Sequence, residues 1–286
     1  MNIVKTKRSG TSSAYYWSGR LLPKSARDDV FKLYTFVHYV HGICRSAEPN
    51  LLALERLTGR WKSCKEELAL GHVPHALDDS LAEHAVASIA YLSHRYRFDK
   101  DWIDAFLASM SLDAQKHEFH SFKEAMDYTY GSSEVIAFML VRIMNLPEEA
   151  FVVARTQARA IQCMSFIREL HEDLLNGRCY FPPNEYRKYG LKNLSEQEAR
   201  DKPRMFEDFI HAQLLRYATW QAEANDLKRY IPKRTFVLLQ AIISMHTDAA
   251  LRVKNDPLLI YEKDSLQVRG RDILQKALRQ TLRPNA

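Results

Sequence analysis

The spacing of apolar residues limits this chain to a helical fold. Apolar side chains recur every three to four residues almost throughout, in stripes such as residues 135–143, 161–170 and 236–243, and this period places them on one face of an α-helix. Only 9 Gly and 10 Pro interrupt 286 residues, which favours long helices over a many-turned β architecture. We therefore predict one all-α domain over residues 1–286, with about ten helices and a core from residue 12 to residue 263.

Composition and charge narrow the class of protein further. Apolar residues make up 46% of the chain and charged residues 27%, which is ordinary for a soluble globular protein. The formal charge of +6 suits anionic partners such as diphosphates or an acidic membrane surface, but it is too diffuse to indicate nucleic-acid binding. The four cysteines form no C-x-x-C pair, and no apolar segment follows the basic start, so we predict a cytoplasmic protein. Peripheral contact with a membrane stays open.

A basic amphipathic pattern closes the chain. Residues 264–283 alternate cations with apolar side chains. Two interpretations remain: a terminal helix packed on the domain with a wetted basic face, or a helix that lies on a membrane surface.

Two acidic residues form the first candidate site. Residues 162–173 read QCMSFIRELHED, so Glu169 and Asp173 stand four apart in a helical pattern and project from one face. Carboxylates at this spacing suit Mg²⁺, which takes oxygen ligands and often shares them with substrate phosphates. A solvated acidic helix face has the same pattern.

Four other parts of the chain accompany this pair: residues 15–23 with 31–37, S-M-x-x-D at residues 109–113, Y-x-Y-G at 128–131 and G-R-x-Y-x-P at 177–182. Together they resemble the squalene/phytoene synthase family, all-α enzymes that join two prenyl diphosphates head to head, with residues 15–23 and 31–37 similar to its opening helices. Residues 162–173 resemble the Q-x-x-N-x-x-R-D-x-x-E-D motif of the family, with Ser165 in place of its Asn and Glu169 in place of its first Asp. The resemblance implies a single-domain isoprenoid-synthase helical bundle with a central apolar cavity.

The resemblance also implies a chemistry and a set of residues. In this family Mg²⁺ (or Mn²⁺) ions between two aspartate-rich motifs stabilise the diphosphate that leaves a substrate such as farnesyl or geranylgeranyl diphosphate. The resemblance assigns Glu169 and Asp173 to the metal ion. The side chains it assigns to the substrate and its diphosphate are Gln162, Ser165, Arg168, Arg178, Tyr180, His38, His41 and Tyr130. Helix bridging or core packing would explain several of them equally well.

The first aspartate-rich motif departs from the family pattern. Where the family has R-x-x-D-D-x-x-D, residues 38–45 read HYVHGICR. His41, Gly42 and Arg45 therefore replace the three aspartates, and His38 replaces the arginine. A guanidinium about 5 Å from Mg²⁺ repels it by roughly 6–7 kcal/mol at an effective dielectric constant of about 20. The usual first Mg²⁺ site is thus removed.

Three interpretations of the altered site remain open. Arg45 forms an inert salt bridge with Glu169 or Asp173, or it contacts the diphosphate directly while Ser165 and the two acids hold one Mg²⁺. Alternatively, His38 and His41 join the two acids to bind a transition metal. Two functions follow from these interpretations. The first is a prenyltransferase with an altered metal site, whose catalytic residues would be Arg45, Glu169 and Asp173. The second is an inactive homologue that binds an isoprenoid or a partner protein.

Overall fold

The computed structural model describes residues 22–116, 118–262, 264–266 and 275. The N-terminal motif at residues 15–21 lies outside the described residues. So does the greater part of the predicted basic helix at residues 264–283.

The described residues form twelve α-helices and no strand, which confirms the prediction of an all-α fold. The helices are α1 (Lys24–Cys44), α2 (Leu51–Ala69), α3 (Leu81–Tyr96), α4 (Lys100–Ala114), α5 (Phe122–Thr129), α6 (Val135–Ile143), α7 (Glu149–Arg168), α8 (Leu170–Leu175), α9 (Pro183–Arg187), α10 (Glu196–Asp201), α11 (Pro203–Glu223) and α12 (Lys233–Asn255). A π-helical turn, Tyr130–Glu134, joins α5 to α6, and 3₁₀ turns follow α11 and α12.

Helix α7 runs through the interior and joins two hydrophobic clusters. It packs along α11 on one side and along α6 on the other. The small residues Ala150, Ala154 and Ala158 are buried on it at four-residue spacing, which lets neighbouring helices approach closely. Phe166, near the end of α7, packs against both the cluster of the N-terminal helices, which includes Phe106, and the cluster around α11, which includes Phe209. The end of α7 therefore contacts both clusters.

The π-helical turn crosses α4 at close range. A β-carbon on Gly131 would overlap the Ala105 carbonyl and the Ser109 hydroxyl. Ser109 donates a hydrogen bond to the carbonyl oxygen of Tyr128 at 3.0 Å. Two motifs that are distant in sequence are thus one packing unit, which holds the end of α4, with Asp113, against α5.

Helix α12 differs from the other described helices in composition. Among the described residues it is the one helix whose length and apolar content would allow it to cross a membrane, and 33% of that apolar window is buried.

Candidate functional site

The guanidinium of Arg45 lies among three carboxylates. Helix α1 ends at Cys44, and Arg45 follows it with its backbone N–H donating to the His41 carbonyl at 2.8 Å. Its Nη2 atom lies 3.2 Å from Asp173 Oδ1 and 3.5 Å from Glu169 Oε2, and its Nε atom lies 3.8 Å from Asp113 Oδ2. Arg45 therefore links the ends of α1 and α4 to the junction between α7 and α8.

The junction between α7 and α8 keeps Glu169 and Asp173 on the same face of the helix. Glu169 ends α7 and α8 begins at the next residue, yet the Asp173 N–H still donates to the Glu169 carbonyl at 2.8 Å. The predicted pairing of the two carboxylates on one face is therefore present, although the helix is interrupted between them.

A glycine turn then returns the chain to Arg45. Gly177 has a φ of +74°, and the Arg178 N–H donates to the Asp173 carbonyl at 2.8 Å, which closes α8 in the manner of a Schellman motif. Arg178 Nη2 donates to the carbonyl oxygen of Arg45 at 2.9 Å. The G-R-x-Y-x-P motif thus caps the end of α1.

Two tyrosines complete the environment of Asp113, whose exposed fraction is 2%. The hydroxyl of Tyr180 donates to Asp113 Oδ1 at 2.6 Å, and that of Tyr128 donates to Oδ2 at 2.9 Å. The Tyr180 ring stacks on Phe166 at 4.5 Å between centroids, and the Arg45 guanidinium lies 5.8 Å from the Tyr180 centroid. A buried carboxylate needs such donors, and their rings fill the space beside the cluster.

The charges of this cluster balance. Arg168 Nη2 bonds Glu169 Oε1, and Arg178 Nε lies 3.7 Å from Asp173 Oδ1. Together with Arg45, three guanidinium groups therefore face three carboxylates. We call these six side chains (Arg45, Asp113, Arg168, Glu169, Asp173 and Arg178) the ion cluster.

Burial shapes the protonation of the ion cluster. Burial raises the pKa of Asp173 from 3.8 to about 6; Arg45 opposes the rise and Glu169 adds to it. Burial also raises the pKa of Asp113. Burial alone would lower the pKa of Arg45, but the neighbouring tyrosines and carboxylates raise it well above its usual value. The guanidinium therefore remains charged at any physiological pH.

The two histidines do not join the acids as metal ligands. Burial, with Arg45 nearby, lowers the pKa of His41 to about 3, and its ring packs against Phe106 at 5.9 Å between centroids. His38 is exposed and stacks on Tyr34 at 5.6 Å. Across the described ranges, no three His, Cys, Asp or Glu side chains are grouped to hold a metal ion. The interpretation in which His38 and His41 complete a transition-metal site is therefore wrong for this arrangement.

The ion cluster does not fit Mg²⁺ either. This ion needs about six oxygen ligands, whereas the acids of the cluster face guanidinium groups. Asp173 Oδ2 is buried and, within the described residues, has no hydrogen-bond partner. One such oxygen beside three cations is a poor seat for a divalent ion.

Of the other predicted site residues, Gln162 and Ser165 lie near the ion cluster, whereas Tyr130 does not. Gln162 and Ser165 are half-buried on the last turns of α7, and within the described part of the chain their side chains form no hydrogen bond. Tyr130 lies elsewhere: its ring meets Phe138 edge-on at 6.3 Å. Burial raises the pKa of Tyr130, and the charged groups that also act on it (Asp99, Arg155, Glu134 and Asp101) do not belong to the ion cluster.

Three residues of this region are not among the site residues predicted from the sequence. Asp113 lies in the S-M-x-x-D motif and Tyr128 in the Y-x-Y-G motif, so these motifs could have identified both residues. His246 of α12 stands in no such motif. It is buried, its Nδ1 atom lacks a partner among the described residues, and burial beside Arg168 lowers its pKa to about 3.

A sequence model of the squalene/phytoene synthase family matches residues 8–272. The chain belongs to the squalene/phytoene synthase family. It is 24% identical to presqualene diphosphate synthase of Rhodopseudomonas palustris over 181 residues, covering 63% of this chain and 61% of that protein. It is 20% identical to 15-cis-phytoene synthase of Paracoccus sp. over 191 residues, covering 60% and 56%. The matches thus span less than two thirds of these relatives.

Solved structures of this family share the fold. A dehydrosqualene synthase in complex with ligand superposes with a TM-score of 0.67 at 16% identity, covering 95% of this chain and 92% of that one. Squalene synthase HpnC from Alicyclobacillus acidocaldarius gives a TM-score of 0.65 at 16% identity, covering 96% and 94%. The all-α isoprenoid-synthase fold expected from the sequence is therefore confirmed.

Proposed function

We propose that this chain is a catalytically inactive member of the squalene/phytoene synthase family that binds an isoprenoid without ionising a prenyl diphosphate. The observation that carries the proposal is the position of the Arg45 guanidinium among Asp113, Glu169 and Asp173. The family resemblance would assign two of these acids to Mg²⁺. Here they are neutralised by the protein itself.

The charge balance explains why ionisation would fail. Departure of a diphosphate requires positive charge directed at the leaving group. The three guanidinium groups of the ion cluster already face three carboxylates, so the cluster has no net positive charge to offer. A Mg²⁺ ion bound to Asp173 Oδ1 would lie within about 5 Å of the Arg45 guanidinium, which would repel it by roughly 6–7 kcal/mol at an effective dielectric constant of about 20.

Binding of an apolar ligand is supported by the fold and by partly open apolar positions. Val37, Ile136 and Leu140 pack against the N-terminal core while remaining partly accessible. A prenyl diphosphate or an uncharged isoprenoid is the proposed ligand, and a partner protein is the alternative.

A second candidate is a transferase in which Arg45 replaces a metal ion at the diphosphate. The observation in its favour is Arg178, whose Nε and Nη1 atoms are buried and form no hydrogen bond within the described residues. Unused guanidinium donors suit a phosphate oxygen. This candidate requires Arg45 to leave its carboxylates when substrate binds.

A product assay separates the two candidates. The purified chain is incubated with farnesyl or geranylgeranyl diphosphate and Mg²⁺ or Mn²⁺, and pyrophosphate release and apolar products are followed, with Asp173→Ala beside it. We expect no turnover by either protein. A squalene-like or phytoene-like hydrocarbon that disappears in the variant would establish the transferase and refute the proposal.

Substitutions of Arg45 test whether its pairing with the carboxylates of the ion cluster prevents Mg²⁺ binding. Arg45→Asp restores a carboxylate at this position, and Arg45→Gln removes the positive charge without adding a carboxylate. We expect Mg²⁺ to raise the thermal stability of Arg45→Asp alone, by about 2.7 kcal/mol at one hundred times its dissociation constant. Equal stabilisation of the unaltered chain by Mg²⁺ would contradict our reading of the ion cluster. Stabilisation by farnesol or farnesyl diphosphate tests ligand binding separately.

A further inference from the structure

A cluster of exposed cations lies outside the ion cluster, on the turn that follows α11 and on the first turn of α12. Lys228, Arg229, Lys233 and Arg234 are all exposed. Arg229 pairs with Asp226 at 3.2 Å, whereas the other three form no ion pair within the described residues. No acidic residue occurs between Asp226 and Asp248, so this segment has a local excess of positive charge.

Apolar side chains accompany these cations. Tyr230, Ile231, Phe236 and Val237 are all half-buried. Tyr230 and Ile231 pack on the edge of a cluster that includes Val141, whereas Phe236 belongs to none of the hydrophobic clusters of the described residues. Large apolar groups between free cations are characteristic of helices that lie at a membrane interface.

The helical period places the two kinds of side chain together. On α12, Lys233 and Phe236 fall on the side opposite the buried Ala249 and Val253, whereas Val237 packs against the buried Ala241 and Met245. Lys233 and Phe236 therefore share the outward face of the first turns of α12. We call Lys228, Arg229, Lys233, Arg234 and Phe236 the basic surface.

The second half of α12 remains attached to the domain. The Tyr217 hydroxyl lies 3.2 Å from Thr247 Oγ1, and His211 Nε2 lies 3.1 Å from the Lys254 carbonyl oxygen. A helix held in this way cannot cross a bilayer. Only 33% of its 18-residue apolar window is buried, which favours a helix that lies along a surface.

We propose that the basic surface docks onto a lipid bilayer that contains anionic phospholipids. The cations meet the headgroup phosphates, while Phe236 reaches the boundary of the acyl chains. This surface is distinct from residues 264–283, for which a helix on a membrane surface is one of the two interpretations that the sequence leaves open. The proposal does not depend on the function proposed for the ion cluster.

Vesicle flotation tests the proposal directly. The full chain is mixed with phosphatidylcholine vesicles with or without 30% phosphatidylglycerol, at low and at high salt. The variant K228Q/K233Q/R234Q removes the three unpaired cations, and the control K62Q/K100Q/R187Q removes three exposed cations elsewhere. A third variant, Phe236→Ser, removes only the aromatic anchor, and circular dichroism checks that every variant folds.

We expect binding to anionic vesicles that weakens at high salt. Each cation contributes roughly fivefold to membrane affinity, so the triple variant should bind on the order of a hundredfold more weakly, and the control should bind as the unaltered chain does. Phe236→Ser should lose vesicle binding but keep its retention on heparin. No binding to anionic vesicles, equal binding by the triple variant and its control, or an unchanged Phe236→Ser would overturn the proposal.

Discussion

Replacement of Arg45 by alanine should destabilise the fold far more than loss of an exposed arginine. In the structure its guanidinium contacts Asp173, Glu169 and Asp113 at 3.2, 3.5 and 3.8 Å. At an effective dielectric constant of about 20, these contacts amount to a gross attraction of about 14 kcal/mol. Most of that attraction offsets the cost of burying the charges. Removing one partner of a buried ionic group typically costs about 3–5 kcal/mol.

Urea unfolding at pH 7.5 measures this cost, with Arg200→Ala as the matched control. Arg200 contacts Glu196 at 2.7 Å, but 53% and 41% of the two side chains are exposed. Such a pair contributes up to about 1 kcal/mol. Arg45→Ala keeps the backbone carbonyl that Arg178 uses, so the difference reports on the guanidinium.

A double variant distinguishes charge from packing. Adding Asp173→Asn to Arg45→Ala removes one uncompensated carboxylate, and we expect the loss to be less than additive by at least about 1 kcal/mol. If Arg45→Ala unfolds within 1 kcal/mol of Arg200→Ala, the guanidinium is not neutralising buried carboxylates and our account of the site is wrong.

Three further predictions concern the groups around Arg45. Because the pKa of Asp173 is raised from 3.8 to about 6, its protonated form favours folding, and that contribution is lost as pH rises through this range. The chain should therefore lose about 2 kcal/mol relative to Asp173→Asn between pH 4 and pH 6.5, and a constant difference in urea unfolding would contradict this. Gly131→Ala should cost about 1–3 kcal/mol in thermal unfolding because its new β-carbon overlaps the backbone of α4. Gly42→Ala, with open space around it, should be neutral or stabilising. Equal effects of the two substitutions would refute the close approach of the π-helical turn to α4. Tyr180→Phe removes a 2.6 Å donor from a buried carboxylate and should cost about 1–3 kcal/mol, while Tyr189→Phe, measured in the same denaturation series, should stay within about 0.5 kcal/mol.

Local periodicity explains how much of this fold could be predicted from the sequence. The apolar stripes predicted the helices because a 3.6-residue period is a property of neighbouring residues. The same period predicted that Glu169 and Asp173 share a face, and the structure confirms it despite the break after Glu169. The replacement of an aspartate by Arg45 was also visible from the sequence, as was its electrostatic conflict with Mg²⁺.

The partners of Arg45 depended on packing between distant segments. It contacts Asp173 across 128 positions in the chain. That approach requires the end of α1, the end of α4 and the Gly177 turn to meet, and no local pattern specifies such a meeting. The burial of Asp113 depends on the same kind of packing, because α5 and the π-helical turn cover the end of α4. The sequence by itself determined which charges the site contains, because residue identity and helical spacing are local. Only the tertiary structure decided which of those charges neutralise one another, because burial and pairing arise where helices meet.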